Sequence, residues 1–132
     1  MKSRVDLHAL HILECIEKIQ RYRPKTMEGF IEDEVVYYAT LRWLQTLAES
    51  TKFIDVAIKE QNLHIPWDDI WGFRNILVHD YLGDLIAAEL WDIIIVHLPI
   101  LQHTIEKYYP NWKQERAKQQ DDLMKGVINE IS

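Results

Sequence analysis

Apolar residues recur along most of this chain at steps of three and four, the interval that gathers them on one face of an α-helix. Over residues 4–22, Val5, Ala9, Ile12, Ile16 and Ile19 follow that alternation, and Leu10 and Leu13 widen the stripe. Pro24 ends this first helix, because the residue before a proline avoids the α region. A second helix is expected over 28–49, with Phe30, Ile31, Val35, Tyr38, Leu41, Leu44, Leu47 and Ala48 on its apolar side. A shorter helix over 51–61 would bury Phe53, Ile54, Ala57 and Ile58. Pro66 before Trp67, Asp68 and Asp69 marks a fourth start: proline suits the first turn, and acids complement the positive end of the helix dipole. Gly83 is placed to stop that helix. The most regular stripe is Ala87, Trp91, Ile94, Leu98, Leu101, Ile105 and Tyr108, within 84–108. Pro99 lies inside it and predicts a kink, and Pro110 ends it.

No segment carries strand periodicity, so the fold class is all-α: an antiparallel bundle of about five helices. Residues 1–110 form the helical domain, and residues 111–132 a polar C-terminal extension with Trp112, Leu123, Val127 and Ile131 as anchors. The extension reads equally as a mobile tail, a short extra helix or a partner-docking segment. Trp43 falls off its helix's main stripe, which points to a subunit contact. Spare apolar surface, including Trp71 and Trp91, makes a homodimer the expected assembly.

Composition changes this picture in three places. The chain has 132 residues and a net charge of −6, which disfavours a general nucleic-acid binder, since phosphate contacts call for a basic surface. Any RNA site must therefore be a small local basic cleft. Cys15 is the one cysteine; it has no internal disulfide partner and reads as a core or partly covered thiol. No apolar run reaches the ~18 residues of a membrane span, and the first residues are polar and charged, so a cytoplasmic protein with no membrane contact is expected. Glycine-rich phosphate loops and paired-cysteine metal sites are absent, and neither a cofactor nor a metal site is expected. His8 and His11 are three apart but lack a completing ligand set, and they read as solvated or partner-facing. Glu32, Asp33 and Glu34 read as helix-dipole partners, as do Arg21, Arg23 and Lys25 at the opposite kind of helix end.

The densest chemistry lies in Trp71-Gly72-Phe73-Arg74-Asn75-Ile76-Leu77-Val78-His79-Asp80-Tyr81. On a helix, at about 100° per residue, Asn75 and His79 are surface neighbours, and Arg74 and Tyr81 line up two turns apart. Arginine is a permanent cation with a fork that fits phosphate. Histidine exchanges a proton near neutral pH. Together they suit a phosphodiester.

Arg74, Asn75, His79 and Tyr81 resemble the Arg-x4-His-x-Tyr signature of HEPN-domain proteins, specifically the HepT-like toxin family. The similarity extends over about residues 4–108, through FIEDEVVYYATLRWLQTLAES and IPWDDIWGFRNILVHDYLGDLIAAELWDIIIVHLPILQHTIEKY. It implies a HEPN-like homodimer whose two motif helices face each other across a cleft. It also implies a metal-independent endoribonuclease, the toxin of a toxin–antitoxin pair. In that reading His79 is general acid or base, Arg74 holds the phosphate, and Asn75 orients the imidazole or binds substrate. The implied partner is a minimal nucleotidyltransferase antitoxin that transfers AMP from ATP to Tyr81. Asp80 fills the variable position, and its charge would raise the His79 pKa and repel RNA. The alternative is a non-catalytic HEPN binding module that partners a nucleotidyltransferase; the acidic net charge and Asp80 favour it.

Overall fold

The structure, a computed structural model, describes residues 6–79 and 87–131, and for residues 75–79 the backbone alone. Every regular element among the described residues is helical. Helix α1 (Leu7–Tyr22) starts at Asp6, whose carboxylate accepts from the His8 and Ala9 amides at 2.8 and 3.2 Å. This satisfies two of the N–H groups that a helix start leaves without partners. The predicted stripe from Ala9 to Ile19 is buried, with Cys15 among it; Val5 lies outside the described residues. α1 packs on two of the later helices, α3 (Glu34–Thr51) and α7 (Leu98–Glu106).

The expected helix over 28–49 is in fact two, α2 (Met27–Glu32) and α3. Asp33 divides them: its side chain accepts from the Val36 amide at 3.1 Å and caps α3. A short acidic side chain that bonds its own backbone competes with helix continuation. The break re-aims the apolar face. Phe30, Leu41, Leu44, Leu47 and Ala48 are buried as expected, whereas Ile31, Val35 and Tyr38 face outward, Val35 with 78% of its surface exposed.

The third helix is also shorter than expected. α4 (Val56–Gln61) is capped by Asp55, which accepts from the Ala57 amide at 2.9 Å. The preceding residues finish α3 and turn. Ile54 and Ile58 are buried, but Ala57 is exposed, and Phe53 is exposed and stacks on His8 with ring centroids 4.4 Å apart. His8 and His11 are both half-buried within the chain rather than solvated, and His11 Nε2 meets Cys15 Sγ at 3.5 Å.

α5 (Trp67–His79) lies along α3. Its start is held by a buried polar cluster. Trp67 Nε1 donates to the Asn62 carbonyl at 3.1 Å, and Asn62 Nδ2 donates to the Ile58 carbonyl at 2.8 Å and to the Tyr108 hydroxyl at 2.9 Å. The predicted stop at Gly83 lies outside the described residues.

The long final helix of the bundle runs through α6 (Ala87–Asp92), a π-helical turn (Ile93–His97) and α7. Its stripe is as predicted, with Ile94, Leu98, Leu101 and Ile105 fully buried. The irregularity expected from Pro99 takes the form of the π turn. Leu98 donates to the Ile93 carbonyl, one residue beyond the α-helical partner, and Pro99 has no N–H to offer. The Ile94 carbonyl is therefore left without a donor from its own helix, and Gln20 Nε2 supplies one at 2.9 Å. Arg23 Nε donates to Gln20 Oε1 at 2.8 Å, which fixes the amide in that orientation.

Of the three readings of residues 111–132, the structure shows an extra helix, and a long one: α8 (Trp112–Ile131). Trp112 is its anchor, 2% exposed, with Nε1 donating to Glu106 Oε2 at 2.9 Å. Glu17 of α1 holds the next turn through Arg116 at 2.6 Å and Lys113 at 4.0 Å. Leu123, Val127 and Ile131, expected as anchors, are exposed. Trp43 packs half-buried on the core of its own chain, stacked with Tyr22 at 5.9 Å. No helix among the described residues is long and apolar enough to cross a membrane.

Candidate functional site

The motif stretch is helical from Trp71 through His79. Arg74 is its described polar member. Its guanidinium lies over the Trp71 ring, 4.6 Å from the centroid, and Nη1 is 3.7 Å from Glu49 Oε2 on α3. The spacing explains the first contact, because residues three apart on a helix are neighbours. The second depends on α5 lying against α3. The same indole has a second cation beside it: Lys52 Nζ, at the end of α3, is 5.0 Å from the centroid. Arg74 Nε is shut off from solvent and finds no acceptor among the described residues. A buried N–H in that condition is destabilising.

Asn75 and His79 lie on the backbone of the same helix, one turn apart, with Arg74 one residue before Asn75. An axial rise of about 1.5 Å and a turn of about 100° per residue set Arg74 and His79 about 7.5 Å apart along the helix and about 140° apart around it. Their side chains, and all of Asp80 and Tyr81, lie outside the described residues. The structure thus joins Arg74 to three residues that periodicity and motif did not single out for chemistry, Glu49, Lys52 and Trp71. Trp71 was within reach of sequence reasoning, three positions before the arginine. Glu49 and Lys52 depend on tertiary packing.

A cavity of about 240 Å³ opens on a different side of α5, lined by Ile70, Phe73, Leu44, Leu47, Leu98 and Leu101 with Asp69, His64 and His97 also at its wall. Phe73 and Arg74 point about 100° apart, and the lining is almost wholly apolar, so this cavity is a packing feature rather than the seat of phosphate chemistry. Away from the site, burial pushes the Cys15 thiol up from its ordinary value, outweighing the Thr46 hydroxyl beside it. A thiol so placed is a poor nucleophile.

The sequence model of the family described as ribonuclease HepT-like matches residues 12–108. The chain belongs to that family. The match takes in α2–α7 and most of α1 and leaves α8 outside. Relatives of this HepT-like chain include "Probable ribonuclease HepT" of Thermococcus cleftensis, 31% identical over 97 residues that cover 73% of this chain and 87% of the relative. "Putative RNase TTE0752" of Caldanaerobacter subterraneus is 31% identical over 98 residues, covering 74% and 87%. "Gamma-glutamylcyclotransferase and putative RNase MJ0434" of Methanocaldococcus jannaschii is 28% identical across the whole of this chain, which spans 54% of that protein. No solved structure matches. The all-helical architecture is consistent with the HEPN superfamily, to which HepT-like proteins belong.

Proposed function

We propose that this HepT-like protein is a metal-independent endoribonuclease acting as the toxin of a toxin–antitoxin pair. The observation that carries the reading is Arg74: a half-buried guanidinium whose Nε finds no acceptor among the described residues, on the helix that also bears Asn75 and His79. RNA brings its own nucleophile. The 2′-oxygen bonds to phosphorus, the P–O5′ bond breaks, and a 2′,3′-cyclic phosphate remains. The 2′-hydroxyl proton goes to a base, and the departing 5′-oxygen takes a proton from an acid. His79 fills these roles, and a homodimer with two motif helices across one cleft would divide them between two imidazoles. Arg74 holds the charge that builds on the phosphoryl oxygens, and Asn75 orients the imidazole or the substrate.

Control falls to Tyr81. A minimal nucleotidyltransferase partner would transfer AMP from ATP, the phenolic oxygen bonding to the α-phosphorus as pyrophosphate leaves. The adduct sets bulk and negative charge where the RNA phosphate must lie. His79→Ala and Arg74→Ala are each expected to abolish RNA cleavage with helical circular dichroism unchanged. Full activity in both variants would overturn the proposal. Tyr81→Phe is expected to keep cleavage and lose the AMP mass increment after co-expression with the partner.

One observation favours the second reading, a non-catalytic module that partners a nucleotidyltransferase. Glu49 already sits on Arg74, in a chain of net charge −6. Partner binding and AMP transfer by a wild type that leaves RNA uncut would decide for it.

A further inference from the structure

We infer that Lys52 and Trp71 extend the Arg74 site into a subsite for single-stranded RNA, the Trp71 indole stacking on a base and Lys52 taking the phosphate next to the one on Arg74. This rests on the endoribonuclease reading and adds the residues that would hold its substrate.

The tryptophans provide the first observation. Of the five in the chain, Trp67 and Trp112 are in the core, and Trp43 and Trp91 pack against it. Among the described residues, Trp71 does neither: it is half-buried beside two cations, Arg74 of α5 and Lys52 at the end of α3. On a helix whose Ile70 and Phe73 pack on the core, this large aromatic ring is met among the described residues by two cations.

Charge provides the second. Lys52 and Arg74 cannot be farther apart than the sum of their distances to one indole centroid, 5.0 and 4.6 Å. Two like charges within about a Debye length of each other repel weakly, and Glu49 meets Arg74 through a single long contact at 3.7 Å. A phosphate strand supplies what is missing. One phosphate replaces Glu49 on the Arg74 guanidinium, and the neighbouring phosphate draws the exposed Lys52 off the ring. The indole face that Lys52 leaves then takes a base. Aromatic platforms flanked by basic residues are the general solution to single-strand binding, because every base has a π face. Such a pair also explains how a chain of net charge −6 could grip RNA without a basic surface: the grip is confined to two cations and one ring.

The test uses a fluorescein-labelled 2′-O-methyl oligoribonucleotide, which lacks the attacking hydroxyl and stays uncut. Its binding to the full chain is followed by anisotropy across a series of KCl concentrations, beside cleavage of the unmodified RNA. Lys52→Ala is expected to weaken binding and to reduce the steepness of log K against log salt by about 0.7, the share of one single-strand phosphate contact. Lys52→Arg should restore that slope. Trp71→Leu is expected to weaken binding about tenfold with the slope unchanged, and Trp71→Phe to recover much of the loss. A purely structural role would not separate the slope from the affinity in this way. If Trp71→Leu loses helical signal, the Trp71→Phe and Lys52 variants decide. Cleavage by the wild type together with wild-type affinity and slope in the variants would overturn the subsite and leave the nuclease reading standing. A wild type that neither cuts RNA nor binds the oligonucleotide would overturn both.

Discussion

Gln20 stands where a proline on another helix has removed a donor. The Ile94 carbonyl faces Gln20 because Leu98 bonds one residue further back and Pro99 has no N–H. Gln20→Ala should leave that carbonyl buried and unpaired, at a cost of about 1–3 kcal/mol. Urea denaturation is expected to show a lower midpoint at an unchanged slope. His11 makes a second prediction at this scale. Burial holds its pKa below the ordinary value, with Lys18 and His8 acting in the same direction and Glu14 and Glu49 against it. As pH falls, the unfolded chain takes up this proton before the folded chain does. The His11 contribution is therefore complete above about pH 6.5 and is lost as pH drops through the window below it. Thermal unfolding followed from pH 7 downward should show that decline, and His11→Gln should flatten it. Pro99 was legible in the sequence as a helix irregularity, but Gln20 was not, because its role depends on a carbonyl seventy-four positions away.

The apolar stripes of α1 and of the long helix through α7 were legible because their periods are unbroken and their buried faces agree with them. The division at Asp33 was not. A run of three acids fits a helix start as well as a continuous exposed face, and the apolar positions on either side bridge the break at nearly helical spacing. The same limit separates the parts of the candidate site: Arg74, Asn75 and His79 lie within one short stretch of sequence, whereas Glu49 and Lys52 reach Arg74 and Trp71 only because α3 and α5 pack side by side. For α8, the deciding residue is Trp112. Its removal should cost about 3–5 kcal/mol and detach the helix, whose far half is exposed along its length. In a protein, most of a helix's stability comes from packing one face, and α8 has only Trp112 buried. Trp112→Ala should therefore lose helical circular dichroism and become open to proteolysis beyond Tyr109, while a chain ending before Leu123 should keep the stability of the bundle.

At the scale of the whole molecule, the expected assembly is a homodimer, which would put two copies of His79 in one cleft. Ile95, Val96 and Ile100 leave apolar surface exposed along the π turn and α7, and surface of that kind favours association. Sedimentation equilibrium is expected to give twice the 15.8 kDa of one chain. A stable monomer that still cuts RNA would remove the division of acid and base between two imidazoles.

Two of the bonds that seat α1 join positions far apart in the sequence: Gln20 reaches across 74 residues to Ile94, and Glu17 across 99 to Arg116. During synthesis domains fold as the chain emerges, N-terminal parts first. α1 can find α3 early, but the side of α1 that meets α7 and α8 is covered only once those later helices have been made. Closing such long loops is slow compared with pairing neighbouring helices. The buried residues of α1 thus stay half-covered until α7 and α8 have emerged, and the arrival of those helices completes this side of the core.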